Sequence, residues 1–274
     1  MTTIACETQP LDLCKAARER FIETEGQPLF RCDWSRALFI HYEVNPDALQ
    51  REVPYPLDLH DGKAYVSLVA FTMEKLRPEI GGKFGRWAFA PIAAHSFMNV
   101  RTYVKHRGES GIYFLLEWVP NRLSVLLGPA TFGLPYRFGR LDYRNHHDSG
   151  NVDGRVCVDR YGAALSYRAE TPAGARYAPC ERGSADEFLL ERYTAFTSDS
   201  GTKLLFRVWH NPWPQIAVDA QMEDESLLAE SFGWFGQARR AGANYSTGAE
   251  NVWIGFPHRA GDEELGHEEE EARP

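Results

Sequence analysis

Between His95 and Lys105 the sequence HSFMNVRTYVK alternates with the two-residue repeat of a β-strand, whose successive side chains point to opposite faces. One face carries His95, Asn99, Arg101 and Tyr103, and the other carries Val100, Thr102 and Val104. The strand therefore faces two environments. If its polar face looks into a concavity, a guanidinium, a carboxamide and a phenol together suit a small polar or anionic ligand.

The segments around it have the same character. ALFIHYEV at 37–44 reads as a buried strand, and Asn45-Pro46-Asp47 then supplies an N-cap, a proline in the first turn and an early acid, predicting a short helix to about Gln50. AYVSLVAFTM at 64–73 suits a central strand, and RPEIGGKFGRW after it reads as a glycine-rich loop. GIYFLLEWV at 111–119 and RLSVLLG at 122–128 flank Pro120-Asn121 and are expected to form an antiparallel hairpin. Residues 156–170 supply two strands or one bent at Gly162, and 203–210 and 214–221 are strands across an Asn211-Pro212-Trp213-Pro214 turn. Short helices are expected at 11–22, at 185 to about 196 behind the Ser184/Glu187 capping pair, and in ESLLAESFG, where a β-turn region is the alternative. This order is a meander, not the strand and helix repetition of a nucleotide-binding α/β domain. It predicts a β-rich α+β chain: a large mixed or antiparallel sheet, curled or doubled into a barrel-like core, with small helices outside.

Composition limits the partners. Of the formal charge of −8, the final GDEELGHEEEEARP accounts for −6, so residues 1–260 are nearly neutral. No basic patch or nucleic-acid motif is evident, so no nucleic-acid partner is expected. No apolar run approaches the ~18 residues of a membrane span, and no export segment opens the chain. Five cysteines without a Cys-x-x-Cys pair read as reduced thiols, which makes the cytoplasm the expected compartment. The glycine patterns of dinucleotide sites, phosphate loops and nucleophile elbows are absent. No cofactor is expected.

Arg101 is the leading candidate for binding, since its planar fork can hold a carboxylate, with Asn99 and Tyr103 orienting the same ligand. His95 shares their face and is a candidate acid or base. GLPYRFGRLDY brings Arg137 to a turn that suits a ligand entrance, and Arg207 is a second cationic candidate. Each has a plainer alternative in packing or surface pairing. His146 and His147, adjacent in NHHDSGNVDG, would point to opposite faces of a regular strand, so no metal site is expected. Cys32 has no matched histidine and reads as inert.

The ordered set WSRALFIHYEVNPDALQREVPYPLDLHDGKAYVSLVAF, MNVRTYV, GIYFLLEW, GLPYRFG and LLFRVWHNPWP resembles the uncharacterised bacterial YqjF-like proteins from about Phe30 to Pro257. That family is similar in fold to acetoacetate decarboxylase. The resemblance implies a large curved antiparallel sheet or closed barrel around an internal cavity, with short peripheral helices. Acetoacetate decarboxylase forms a Schiff base on a lysine of depressed pKa. No matching lysine is evident here: Lys105 lies at a strand end and Lys83 in the glycine-rich loop. Many YqjF-like sequences also place a glutamate two positions before the asparagine, where this chain has Phe97.

The resulting expectation is an N-terminal extension at 1–29, an acetoacetate-decarboxylase-like β domain at 30–258 and an acidic tail at 259–274. The resemblance supports Asn99, Arg101 and Tyr103 as pocket residues, with Arg137 and His95 as further candidates. Two functional expectations stand side by side: a binding protein for a small organic acid or carbonyl compound, or an enzyme acting on such a compound. A third, a structural interaction protein with a filled core, predicts no convergent polar cavity. Self-association into a homo-oligomer is expected by analogy with barrel relatives.

Overall fold

The computed structural model describes residues 12–146, 150–159 and 162–261. Its framework is a ten-stranded sheet. Three long neighbours, β1 (Phe30–Val44), β2 (Ala64–Pro78) and β3 (His95–His106), pair antiparallel in sequence order, followed by β4 (Glu109–Val119). The path continues through β9 (Thr194–Asp199) to β10 (Thr202–Trp209), and on the other flank β13 (Arg239–Ile254) pairs with β1. A short pairing of β13 with β10, Val208 opposite Ile254 and Trp209 opposite Trp253, also links the two flanks.

The sheet is mixed, as one of the two alternatives left by the strand order has it, and not the antiparallel sheet implied by the resemblance. Strand β9 runs parallel to β4, and so does the short β5 (Tyr136–Phe138). The chain leaves the sheet after β4 and returns from another direction. In between it builds a separate four-stranded antiparallel sheet from β6 (Arg140–His146), β7 (Asn151–Cys157), β8 (Ala164–Glu170) and the later β12 (Ala220–Asp224).

The two-sided reading of the central strands holds, and both sides are buried. Leu38 and Ile40 of β1, Val66 and Leu68 of β2 and Met98 and Val100 of β3 join Val152, Val156 and Leu165 of the small sheet in one hydrophobic cluster. The alternate positions, Phe39, Val69, Phe97 and Tyr103, belong to a second cluster. Each fully buried aliphatic or aromatic side chain contributes about 1.5–3 kcal/mol, so two cores on one sheet give these strands their main stabilisation.

The helices sit outside the sheets. α1 (Leu13–Glu25) is capped by Asp12, which accepts from Lys15 N at 3.2 Å, and stops at Gly26 with φ 69°. Its Phe21 is buried against Trp253 at 5.6 Å between ring centres. α2 (Pro46–Gln50) forms behind the Asn45 cap, as the Asn-Pro-Asp signal predicts.

Four segments depart from the sequence reading. Residues 122–128 are not a strand: α4 (Arg122–Phe132) occupies them, because Asn121 Oδ1 accepts from Leu123 N and Ser124 N and Gly133 closes the other end at φ 65°. The glycine-rich stretch forms α3 (Gly82–Phe89), with Phe84 and Trp87 exposed. The helix begun at Ser184, α5 (Ala185–Leu190), ends early and gives way to β9. The predicted 214–221 strand divides into β11 (Gln215–Ala217), on the large sheet, and β12, on the small one. α6 (Ser226–Ser231) forms within ESLLAESFG. No described helix is long and apolar enough to cross a membrane.

Candidate functional site

On the second-cluster side of the large sheet lies a cavity of about 500 Å³, walled by β1 to β4, β9, β10 and α4. Its wall is largely aromatic, with Phe30, Trp34, Phe39, Phe71, Phe97 and Trp213 among the contributors. The register of β3 sets its polar floor. Asn99 sits opposite Val69 of β2 and Glu117 of β4. Between Val100 and Arg101 the pairing with β4 shifts, so that Arg101 meets Phe114. This irregularity allows Glu117 and Phe114, which would lie on opposite faces of a regular strand, to line the same cavity.

Asn99, Arg101 and Glu117 are 5%, 7% and 3% exposed. Arg101 Nη2 donates to the Leu189 carbonyl at 3.1 Å, and its guanidinium carbon lies 5.5 Å from the Phe39 ring centre. That carbonyl is among the last of α5, where unsatisfied helix carbonyls favour a cation. Arg101 Nε, Asn99 Oδ1, Glu117 Oε1 and the hydroxyl of Ser124, which α4 presents, have no hydrogen-bond partner among the described residues. Leaving such a group buried and unpaired costs about 1–3 kcal/mol. Their presence in one cavity makes it the candidate site.

Burial pushes the Glu117 carboxyl up to about 8, against the opposing pull of the Arg101 charge. Burial also holds the His95 imidazole down at about 4, with a backbone contact to Ile92 acting the other way. At neutral pH the cavity therefore contains a neutral carboxyl, a neutral imidazole and the Arg101 cation. A neutral carboxyl can donate one hydrogen bond and accept others. The set can fix an anion and hydrogen-bond an adjacent oxygen.

His95, Asn99 and Arg101 come together in this cavity, as their shared strand face predicts. Tyr103 does not line it. Its hydroxyl donates to the Leu189 carbonyl at 2.8 Å and lies 2.5 Å from Ser67 Oγ, which is 2.7 Å from His41 Nδ1. Tyr103 and Arg101 thus share an acceptor. Arg137 is exposed on β5 and is not part of the cavity lining, because that short strand turns it outward. Arg207 faces α1, where it pairs with Glu109 at 3.3 Å beside Glu25. It lines a separate, charge-rich cavity of about 540 Å³. There Arg20 also pairs with Glu109 and Arg192 with Asp58, so the charges largely answer one another.

Glu117 is the residue the strand pattern did not flag. It is the sole charged residue in GIYFLLEWV, and a lone acid in an otherwise apolar and aromatic strand was the available signal. Phe97, where the resemblance to YqjF-like sequences leads one to expect a glutamate, stacks on Phe71 at 5.1 Å and 7°. The cavity's carboxyl comes instead from the neighbouring strand. Among the described residues lining the cavity there is no lysine. Among the described residues no cluster of His, Cys, Asp and Glu suits a metal ion; His147 and Asp148 lie outside them, as does the side chain of His146.

Residues 31–248 match the DUF2071 family, described as an uncharacterized conserved protein. The uncharacterized protein YqjF of Bacillus subtilis (strain 168) is 29% identical over 204 residues, covering 72% of this chain and 79% of YqjF. Among solved structures, the enduracididine biosynthesis enzyme MppR complexed with pyruvate superposes with a TM-score of 0.58 at 14% identity, over 86% of this chain and 92% of MppR. Acetoacetate decarboxylase from Legionella pneumophila subsp. pneumophila str. Philadelphia 1 gives 0.57 at 12% identity, over 85% and 88%. At these identities the likeness is one of fold.

Proposed function

The chain belongs to the DUF2071 family, and from that membership together with its cavity we propose that it binds a small organic acid or carbonyl compound, with Arg101 as the carboxylate anchor. One observation carries this reading: unpaired buried polar atoms of Asn99, Arg101, Glu117 and Ser124 belong to residues that line one largely apolar cavity. Asn99, Glu117 and Ser124 orient the ligand, His95 contributes from the same strand, and Tyr103 positions Arg101. A filled structural core would have no reason to bury such a group of unpaired atoms in a cavity. We take the β13–β10 pairing as the seam that closes the large sheet into a barrel around the site. Residues 30–258 form the ligand-binding domain, and the paucity of cysteine pairing motifs fits a cytoplasmic protein.

A second reading, an enzyme acting on the same class of compound, draws on Glu117. A carboxyl held neutral beside an arginine suits proton transfer to a carbonyl oxygen or an adjacent carbon. Schiff-base chemistry has no lysine to use among the described lining residues.

Native mass spectrometry of wild-type protein and Arg101→Ala against a panel of small carboxylates and 2-oxo acids, with ligand mass followed over time, tests both. Binding by the wild type that is lost in the folded variant supports the anchor, and conversion of the ligand moves the assignment to an enzyme. Equal binding by the two proteins refutes the role of Arg101.

A further inference from the structure

We infer that the acid this cavity accepts is a monocarboxylate with an apolar body, of the class of branched-chain or aryl-substituted 2-oxo acids, and that short or dicarboxylic acids are poor ligands. The inference rests on the organic-acid reading above and adds the shape and charge of the occupant.

The first argument is the charge inventory. Arg101 is the one permanently charged cation among the described residues lining the cavity, and Glu117 is the one acid. A second carboxylate on the ligand would enter an apolar enclosure with no counter-ion, a severe desolvation cost. The site accommodates one negative charge. It also has donors for one further oxygen, since the Ser124 hydroxyl and the neutral Glu117 carboxyl both line the cavity. A carbonyl oxygen adjacent to the carboxylate is what those donors would meet, which points to a 2-oxo acid.

The second argument is volume. A cavity of about 500 Å³ lies within the range of roughly 300–1,000 Å³ that encloses drug-sized ligands, far more than a three-carbon acid fills. Away from the floor the wall is apolar, with Phe71 stacked on Phe97 and Phe132 set edge-on to Phe206 at 4.9 Å. Such a wall rewards apolar surface on the ligand and gives polar groups little to pair with. A short acid would anchor at Arg101 and leave the aromatic region unfilled, forgoing its contacts.

The test is isothermal titration at pH 7 of the wild-type protein with pyruvate, 2-oxobutanoate, 2-oxohexanoate, phenylpyruvate and 2-oxoglutarate, alongside Arg101→Gln. Affinity is expected to rise about fourfold per added methylene, the change that burial of one CH₂ supplies. Phenylpyruvate is expected to bind at least tenfold more tightly than pyruvate, and 2-oxoglutarate more weakly than 2-oxobutanoate. Affinity that is flat with chain length, or highest for 2-oxoglutarate, overturns this inference; if Arg101→Gln still abolishes that binding, the organic-acid reading survives it. No heat and no bound mass with any acid overturns both. The series is read on wild-type protein, so its outcome does not depend on the variant folding.

Discussion

Replacing Glu117 with glutamine should stabilise the protein, by an amount that grows with pH. The Glu117 carboxyl is buried, and its folded-state value of about 8 lies well above the ordinary glutamate value of 4.5. Because the folded state holds the proton more tightly than the unfolded state, this group's contribution to stability is fully present below about pH 4.5 and is lost as the pH rises toward 8. Each unit of pKa difference corresponds to about 1.36 kcal/mol. At pH 7 the unfolded carboxyl has therefore gained about 3 kcal/mol of ionisation free energy that the folded one has not, and above pH 8 the difference reaches about 5 kcal/mol. Glutamine has nearly the same shape and does not titrate. Urea denaturation of wild type and Glu117→Gln at pH 5, 7 and 8.5 measures the effect, since titration of all other groups largely cancels in the comparison. The stability difference should widen by about 3–5 kcal/mol across this range in favour of the variant. At pH 7 this corresponds to a rise in Tm of roughly 10 °C, at about 2–4 °C per kcal/mol for a domain of this size. A difference that stays constant with pH, or that turns against the variant, would show Glu117 to be an ionised partner of Arg101 and would refute the neutral-carboxyl account of the cavity.

The same proton should govern binding. Once ionised above pH 8, Glu117 competes with a ligand carboxylate for Arg101, so the Kd for phenylpyruvate should rise with pH by up to about tenfold per unit in wild type, while calorimetry finds it flat in Glu117→Gln. At the acid end, His41 is buried between Ser67 and Asn244, and burial depresses its pKa from 6.5 to about 3. Its contribution is present above pH 6.5 and is lost as the pH falls, so His41→Gln should flatten the acid limb of the stability curve by roughly 3 kcal/mol by pH 4, read from urea midpoints. Gly111→Ala should cost about 1–3 kcal/mol in the same assay, because a Cβ there collides with the Thr194 carbonyl and the Phe196 ring where β4 meets β9. An alanine variant of wild-type stability would mean that this parallel junction is loosely packed.

Much of the framework was legible because its physical cause is local. The two-residue alternation of 95–105 specifies β3, and Asn45-Pro46 specifies the start of α2, from side chains a few positions apart. Three features were not legible, each for a different reason. RLSVLLG has the apolar density of a strand, and its helical fate was decided by the Asn121 cap and the Gly133 stop, which the hairpin reading assigned to a turn and a loop. The parallel meeting of β4 and β9 depends on how residues 120–193 fold between them, into α4, β5, three strands of the small sheet and α5, a long-range condition that no short pattern encodes. Glu117 enters the cavity because it lies directly opposite Asn99 across the β3–β4 pairing, a partnership that strand parity read along either strand alone does not give. Among the candidates, His95, Asn99 and Arg101 were found together because one strand carries all three. Arg137 came from a loop motif, which does not fix side-chain direction.

The large sheet is a partition with a compact chamber on one side and a hollow one on the other, and in β3 the two are addressed by residues of different parity. Met98, Val100 and Val104 serve the compact chamber, while Phe97, Asn99 and Arg101 face the hollow one. Substitution at odd positions can therefore retune the hollow chamber's chemistry while the even positions continue to hold the wall upright. The same arrangement makes the wall intolerant of slippage. Sliding β3 by one residue would drive the Arg101 guanidinium into the compact chamber and present Val100 and Thr102 to the cavity, exchanging the two linings at a stroke.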